Sequence, residues 1–209
     1  MNSVAKLAVP LLALSLLGCP GGDASTPSGD DGAAPGEAAA PAGGDAQALG
    51  ELFAEVVTAN GAGDLAAVAA VCRRVYPDAA RIRAGLREDA PAETVAKIEA
   101  FYQGLRPADG DDAAWAKLLE TTPAGSAPRT EVKVYSATTE EIAANARGSV
   151  VALEFKEAPS VAARLLRPGL TFHVVEVTGP GEELGTKFYL FFWHEAEWCM
   201  LGPVWRAER

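Results

Sequence analysis

The chain of 209 residues carries 28 Asp and Glu against 18 Lys and Arg, a formal net charge of −10, and is 49% hydrophobic and 22% charged. That apolar content excludes a chain disordered throughout, and the length leaves room for one globular domain of roughly 100–200 residues plus ancillary segments. The acidic balance excludes a nucleic-acid binder, because phosphate recognition needs clustered Lys and Arg that no segment supplies.

Residues 1–19 open with a short basic region at Lys6, continue as an 11-residue apolar run from Leu7 to Leu17, and end in Gly18-Cys19. A run of that length is too short for a permanent membrane helix, which needs about 20 apolar residues, and suits an export signal over residues 1–18. The residues Leu16-Leu17-Gly18-Cys19 resemble the lipobox of bacterial lipoproteins. The resemblance implies that the Cys19 thiol is lipidated and becomes the mature N-terminus. At about 0.8 kcal/mol per buried methylene, more than one acyl chain suffices for stable membrane anchoring. Pro20 stands where inner-membrane lipoproteins usually carry Asp, so the resemblance implies the bacterial cell envelope, with the outer membrane favoured over the inner. The alternative is an ordinary secretory signal with a coincidental cysteine.

From Pro20 to Asp45 the chain is seven Gly, seven Ala, four Pro, three Ser or Thr and five acids, with no Val, Leu, Ile, aromatic or basic residue. Such a segment has nothing to bury against the entropy of ordering, so residues 19–45 are expected to be a lipidated cysteine and a disordered tether. Gly-rich chain statistics give it a typical reach of about 28 Å. A partner-binding motif is the rival reading. Residues 46–209 hold every aromatic side chain, show no repeat of 20–50 residues, and are expected to form one domain.

The first half of that domain has helical spacing. Leu49, Leu52, Phe53, Val56 and Val57 fall on one face of a helix that runs out near Asn60-Gly61. Asp64 is placed to cap a second helix with Leu65, Val68 and Cys72, and Asp78 a third with Ile82 and Leu86. Asp89, with Pro91 in the first turn, predicts a fourth helix through Val95, Ile98, Tyr102 and Leu105. Asp111 and Asp112 suit the positive end of a short fifth carrying Trp115, Leu118 and Leu119.

The period then changes. Val132 and Val134 alternate with Glu131 and Lys133, and Thr138-Thr139-Glu140-Glu141 reads as a capping box for a short helix through Ile142. Ser149 to Lys156 alternates again, with Val151, Leu153 and Phe155 on one strand face; Ser160 to Leu166 fits either state. Three strands follow at Leu170–Thr178, Thr186–His194 and Glu197–Trp205, joined by the Gly179-Pro180-Gly181 loop and a tight turn at His194-Glu195-Ala196-Glu197. Helices first and a meander last predict an α+β domain, a helical layer packed on a curved antiparallel sheet.

Leu49-Gly50-Glu51-Leu52-Phe53 followed by Gly63-Asp64-Leu65-Ala66-Ala67-Val68 resembles the opening of NTF2-like (SnoaL-like, cystatin-superfamily) domains, and the strands ending in Trp193, Trp198 and Trp205 suit their sheet. The resemblance covers about 20 residues and implies a conical cavity between helices and sheet. That family includes isomerases, dehydratases and non-catalytic binding modules, so the resemblance leaves the function open.

His-Glu-x-x-His, Cys-x-x-Cys, Walker and Gly-x-Ser-x-Gly patterns are all absent from the sequence, and Ser-x-x-Lys occurs only as Ser3-Val4-Ala5-Lys6 inside the expected export signal, so no metal or cofactor is expected. His173 alternates onto the strand face of Thr171 and Val175; as a pocket-wall base it would have Tyr189 and Glu154 as candidate neighbours, and otherwise it is a strand histidine. His194 begins a turn and is expected in solvent. Cys72 and Cys199, exported into an oxidising compartment, could be bridged, or could be two small buried apolar side chains. The run Phe188 to Trp193 is apolar on both faces, as in a central strand covered on both sides. The leading expectation is a membrane-anchored lipoprotein whose domain binds a protein or small-molecule partner without catalysis. The alternative is an NTF2-like enzyme that transfers protons in an apolar pocket.

Overall fold

The computed structural model describes residues 44–208; the expected export signal, Cys19 and all but the last two residues of the expected tether lie outside the described residues. Helix α1 (Ala46–Ala62) starts where the Asp45 carboxylate accepts the Ala48 N–H at 2.8 Å, and it buries Leu49, Leu52, Phe53 and Val56. Gly63, at φ 71, closes it in the left-handed conformation that a side chain disfavours, and Asp64 then caps α2 (Leu65–Val75). Just before the Asp45 cap, Gly44 lies beside Trp193, and a Cβ added there would run into the Trp193 side chain. Removing the cap with Asp45→Ala should lower stability by about 1 kcal/mol, read as a shifted urea midpoint with unchanged slope.

Asp78 caps α3 (Ala79–Gly85), as expected, and Asp111, expected only to favour the helix dipole, also caps α5 (Asp112–Lys117). Between them, α4 (Ala92–Leu105) departs from expectation, because its N-cap is Pro91 with no side-chain hydrogen bond. The Asp89 carboxylate is instead held by Arg87 at 2.8 Å, and proline's fixed φ opens the helix without it.

Strand β1 (Glu131–Thr138) runs into the capping box, with Thr138 and Glu141 exchanging hydrogen bonds at the start of α6 (Thr139–Ala144). The strand expected from Ser149 to Lys156 is a helix, α7 (Val150–Glu154), because the Ser149 hydroxyl caps it by accepting the Ala152 N–H at 3.1 Å. Its alternating apolar residues do not share a buried face: Phe155 is buried and Val151 half-buried, but Leu153 faces solvent. The ambiguous segment after it is also helical, α8 (Pro159–Leu165).

Strands β2 (Thr171–Thr178), β3 (Thr186–His194) and β4 (Glu197–Met200) complete an open antiparallel sheet of order β1-β2-β3-β4. The last strand ends five residues earlier than expected. Gly202, at φ 66, and Pro203 turn the chain away, and Trp205 falls in a 3₁₀ turn (Val204–Arg206). The domain is thus α+β, with helices on both sheet faces and β3 central, where Leu190, Phe191 and Phe192 are all buried.

Register decides which side chains share a face. Ser136 pairs with His173, His173 with Phe191, and Phe191 with Met200, which puts these four on the side covered by α1. There Phe53 packs on Phe188 and Phe191, with ring centroids 5.2 and 5.3 Å apart. Phe188 and Phe191 are three residues apart yet share a face because of a bulge. His173 pairs with Phe191 and Val175 with Phe188, so Tyr189-Leu190 together oppose Val174, with Leu190 at φ 56.

Candidate functional site

His173 lies on the α1 side of the sheet, only 3% exposed. Its Nδ1 is 2.8 Å from the Ser136 hydroxyl and its ring stands edge-on to Trp198 at 5.2 Å. Burial pushes its pKa down to about 4, with Asp45 opposing weakly, so the imidazole is neutral at neutral pH.

Tyr189 and Glu154 lie on the opposite side of the sheet. Glu176 and Tyr135 project there, one residue out of phase with His173 and Ser136 respectively, and Lys187 joins them from β3. The Lys187 ammonium is hydrogen-bonded to Glu154 and lies 3.6 Å from Glu176. Glu176, itself buried, also accepts the Tyr135 hydroxyl at 3.3 Å and the Gly185 N–H at 3.1 Å. Desolvation opposes the charge on Lys187, but the Glu154 hydrogen bond and the two carboxylates outweigh it and hold its pKa above the ordinary lysine value. Burial and the neighbouring carboxylates raise Tyr135 and Tyr189. Of the three candidates, the structure groups Glu154 and Tyr189 around Lys187 and leaves His173 behind the sheet. Lys187 and Glu176 escape sequence reasoning because a strand lysine reads as solvated, although an acid inside Val174-Val175-Glu176-Val177 is a signal of burial.

A cleft of about 240 Å³ opens where β4 stops short and α2, α4 and α5 meet the start of β3. Tyr76, Phe101, Tyr102, Leu118, Tyr189 and Met200 line it, and Lys187 and Arg206 border it. The Tyr76 hydroxyl donates to the Tyr102 carbonyl at 2.7 Å, and burial raises its pKa to about 12. The Tyr102 hydroxyl is buried and has no partner among the described residues. It sits against Gly202, where a Cβ would come within 2.6 Å of Oη. A wider, more open groove of about 480 Å³ lies on the α1 side, between Glu51 and Glu55 and the Trp193–Trp198 pair.

In the structure Cys72 and Cys199 are both buried and free. Trp198 lines the groove beside Leu52 and Arg74, so strand alternation turns the next residue, Cys199, to the far side of β4, toward Arg81 of α3, while Cys72 belongs to α2. Burial raises their pKa values to about 12 and about 11, which keeps both as thiols at neutral pH. His194 is half-exposed at the hairpin turn, its Nε2 3.7 Å from Glu195. No cluster of three or more His, Cys, Asp or Glu that could hold a metal ion occurs among the described residues.

No protein-family profile matches the chain, and neither does a curated protein or a solved structure.

Proposed function

We propose that this chain is an exported lipoprotein, held to the bacterial envelope through Cys19 and its tether, whose α+β domain is a non-catalytic module for binding a small ligand. The observation that carries the binding half is the division of the candidate residues between two sheet faces. A proton-transfer site needs its base within hydrogen-bond reach of the proton it moves, and His173 is separated by the sheet from Glu154 and Tyr189. What lies beside Tyr189 is a ring-lined concavity with few polar groups, the usual character of a ligand site.

The NTF2-like part of the reading is supported by α1, the Gly63-Asp64 turn and α2 leading into helices on an antiparallel sheet. The cavity favoured for binding lies at the truncated edge of that sheet. The anchoring half rests on the lipobox resemblance at Leu16-Leu17-Gly18-Cys19, and among the described residues no helix is long and apolar enough to cross a membrane.

Anchoring is tested by Cys19→Ser. The parent protein should partition with membranes and carry the added mass of its acyl chains, whereas the variant should become soluble or remain uncleaved. Identical fractionation of the two, with no lipid mass on the parent, would refute the anchor.

A further inference from the structure

We propose that the cleft between α4 and the start of β3 binds a small organic anion with a flat apolar body of one or two rings, its acid group seated between Arg206 and the Tyr102 hydroxyl. This rests on the reading of the domain as a ligand-binding module and adds the chemical class of the ligand.

Size comes first. Sites for drug-sized molecules run upward from about 300 Å³, so a space of about 240 Å³ admits a compact body rather than a long chain or a peptide segment. Shape follows from the walls. Tyr102 stands edge-on to both Phe101 and Tyr76, at 5.1 and 6.3 Å, and Tyr189 is braced edge-on by Trp205 at 5.4 Å. Rings locked in this way present flat, rigid apolar surfaces that lose little freedom when a planar ligand enters.

Charge decides the polar end. Of the two cations bordering the cleft, Lys187 is already held by Glu154 and Glu176, whereas Arg206 makes no ion pair among the described residues and is exposed. The Tyr102 hydroxyl is a second group without a partner: 96% of the residue is buried, and its oxygen finds no acceptor among the described residues. Arg206 is near enough to bear electrostatically on both Tyr102 and Tyr189, so the free cation and the free hydroxyl serve one place. A buried O–H without an acceptor is unfavourable, and a carboxylate that reaches it while facing a guanidinium relieves both groups at once. A cationic ligand has no such welcome, because both nearby carboxylates are occupied by Lys187. Gly202 packs on the hydroxyl, and any side chain at that position would close on it.

The test is calorimetric titration of the purified full chain with 2-naphthoate, and with uncharged 2-naphthamide as the same body without the charge. Naphthoate should bind saturably and about ten- to a hundredfold more tightly than the amide, the range expected for hydrogen bonds to a charged group. Arg206→Gln should remove most of the preference for naphthoate over the amide, and Tyr102→Phe should weaken naphthoate more than the amide. Leu105→Glu, a half-exposed change at the cleft, should abolish binding of both, while Leu153→Glu, exposed on α7, should leave binding unchanged. All four variants are compared only where thermal melting is retained. No saturable naphthoate binding, or binding indifferent to Arg206→Gln, overturns the proposal. Equal affinity for acid and amide, both lost in Leu105→Glu, overturns the anion while the binding module stands. Conversion of either compound, seen by mass, would instead overturn the non-catalytic reading on which the proposal rests.

Discussion

Lowering the pH from 6.5 to about 4 should remove about 3 kcal/mol of unfolding free energy through one imidazole, His173. Its pKa is pushed from 6.5 to about 4 by burial, and each unit of difference between folded and unfolded states is worth about 1.4 kcal/mol. The sign follows from which state takes the proton first. Below pH 6.5 the unfolded chain protonates His173 while the folded chain does not, so the unfolded state binds more protons and stability falls with falling pH. The contribution is whole above 6.5, is lost on the way down to about 4, and changes no further below that. The comparison is urea unfolding at pH 7 and pH 4.5 for the parent and for a Ser136→Ala, His173→Phe double variant. That pair removes donor and acceptor together and keeps a ring against Trp198, which is the tolerable way to delete a buried hydrogen bond. The double variant should lose markedly less stability than the parent over that interval. Equal losses would mean that His173 titrates normally and that the space around it is wet, which would reopen it as a candidate base.

The parts of the fold legible in the sequence are those whose determinants are local. Asp64 and Asp78 are read as caps from a carboxylate placed just before an apolar-periodic run, and each accepts its backbone N–H three residues on, as does Asp111, read there only as favouring the helix dipole; Asp89, read the same way as the first two, is drawn off by Arg87. The capping box at Thr138 and Glu141 is legible for the same reason. Ser149 carries the same kind of signal, but it competes there with the alternation of Val151, Leu153 and Phe155, and five helical residues are too few to show a 3.6-residue period.

Less of the site could be read. That His173 points away from Glu154 and Tyr189 depends on strand register and on the bulge at Tyr189-Leu190, and neither has a local signature. Leu190 adopts φ 56 without being Gly or Asn, a conformation that costs of order 1–3 kcal/mol and persists only where the surroundings enforce it. Here its side chain is fully buried and its carbonyl accepts the Leu201 N–H at 2.9 Å, both consequences of the folded sheet rather than of the dipeptide. The cleft likewise exists because β4 stops at Met200, which the Gly202-Pro203 pair foretells, while the helices that wall it come from sequence more than 80 residues earlier.

The polar cluster on that side of the sheet gives the second large effect. Lys187→Met should destabilise the domain by about 3 kcal/mol, because it leaves a carboxylate buried without its counter-ion. Glu176 keeps its hydrogen bonds from Tyr135 and Gly185, but both donors are neutral, and its side chain is only 4% exposed. Glu154→Gln should cost less, since Lys187 then still faces Glu176. Adding Glu154→Gln and Glu176→Gln to Lys187→Met removes every charge from the cluster and should recover much of the loss, which a generic packing defect at position 187 would not allow. Guanidinium unfolding at pH 7 reads all three; a loss below about 1 kcal/mol for Lys187→Met would place the cluster with exposed surface pairs. The same balance of charges bears on function. A lysine that acts as a nucleophile must spend time as the neutral amine, which requires a lowered pKa. Lys187 is shifted the other way by Glu154 and Glu176, and so remains a fixed cation beside the cleft. The largest consequence of removing it should therefore be read in stability, and the anion of the proposed ligand should be left to Arg206, which has no carboxylate partner among the described residues.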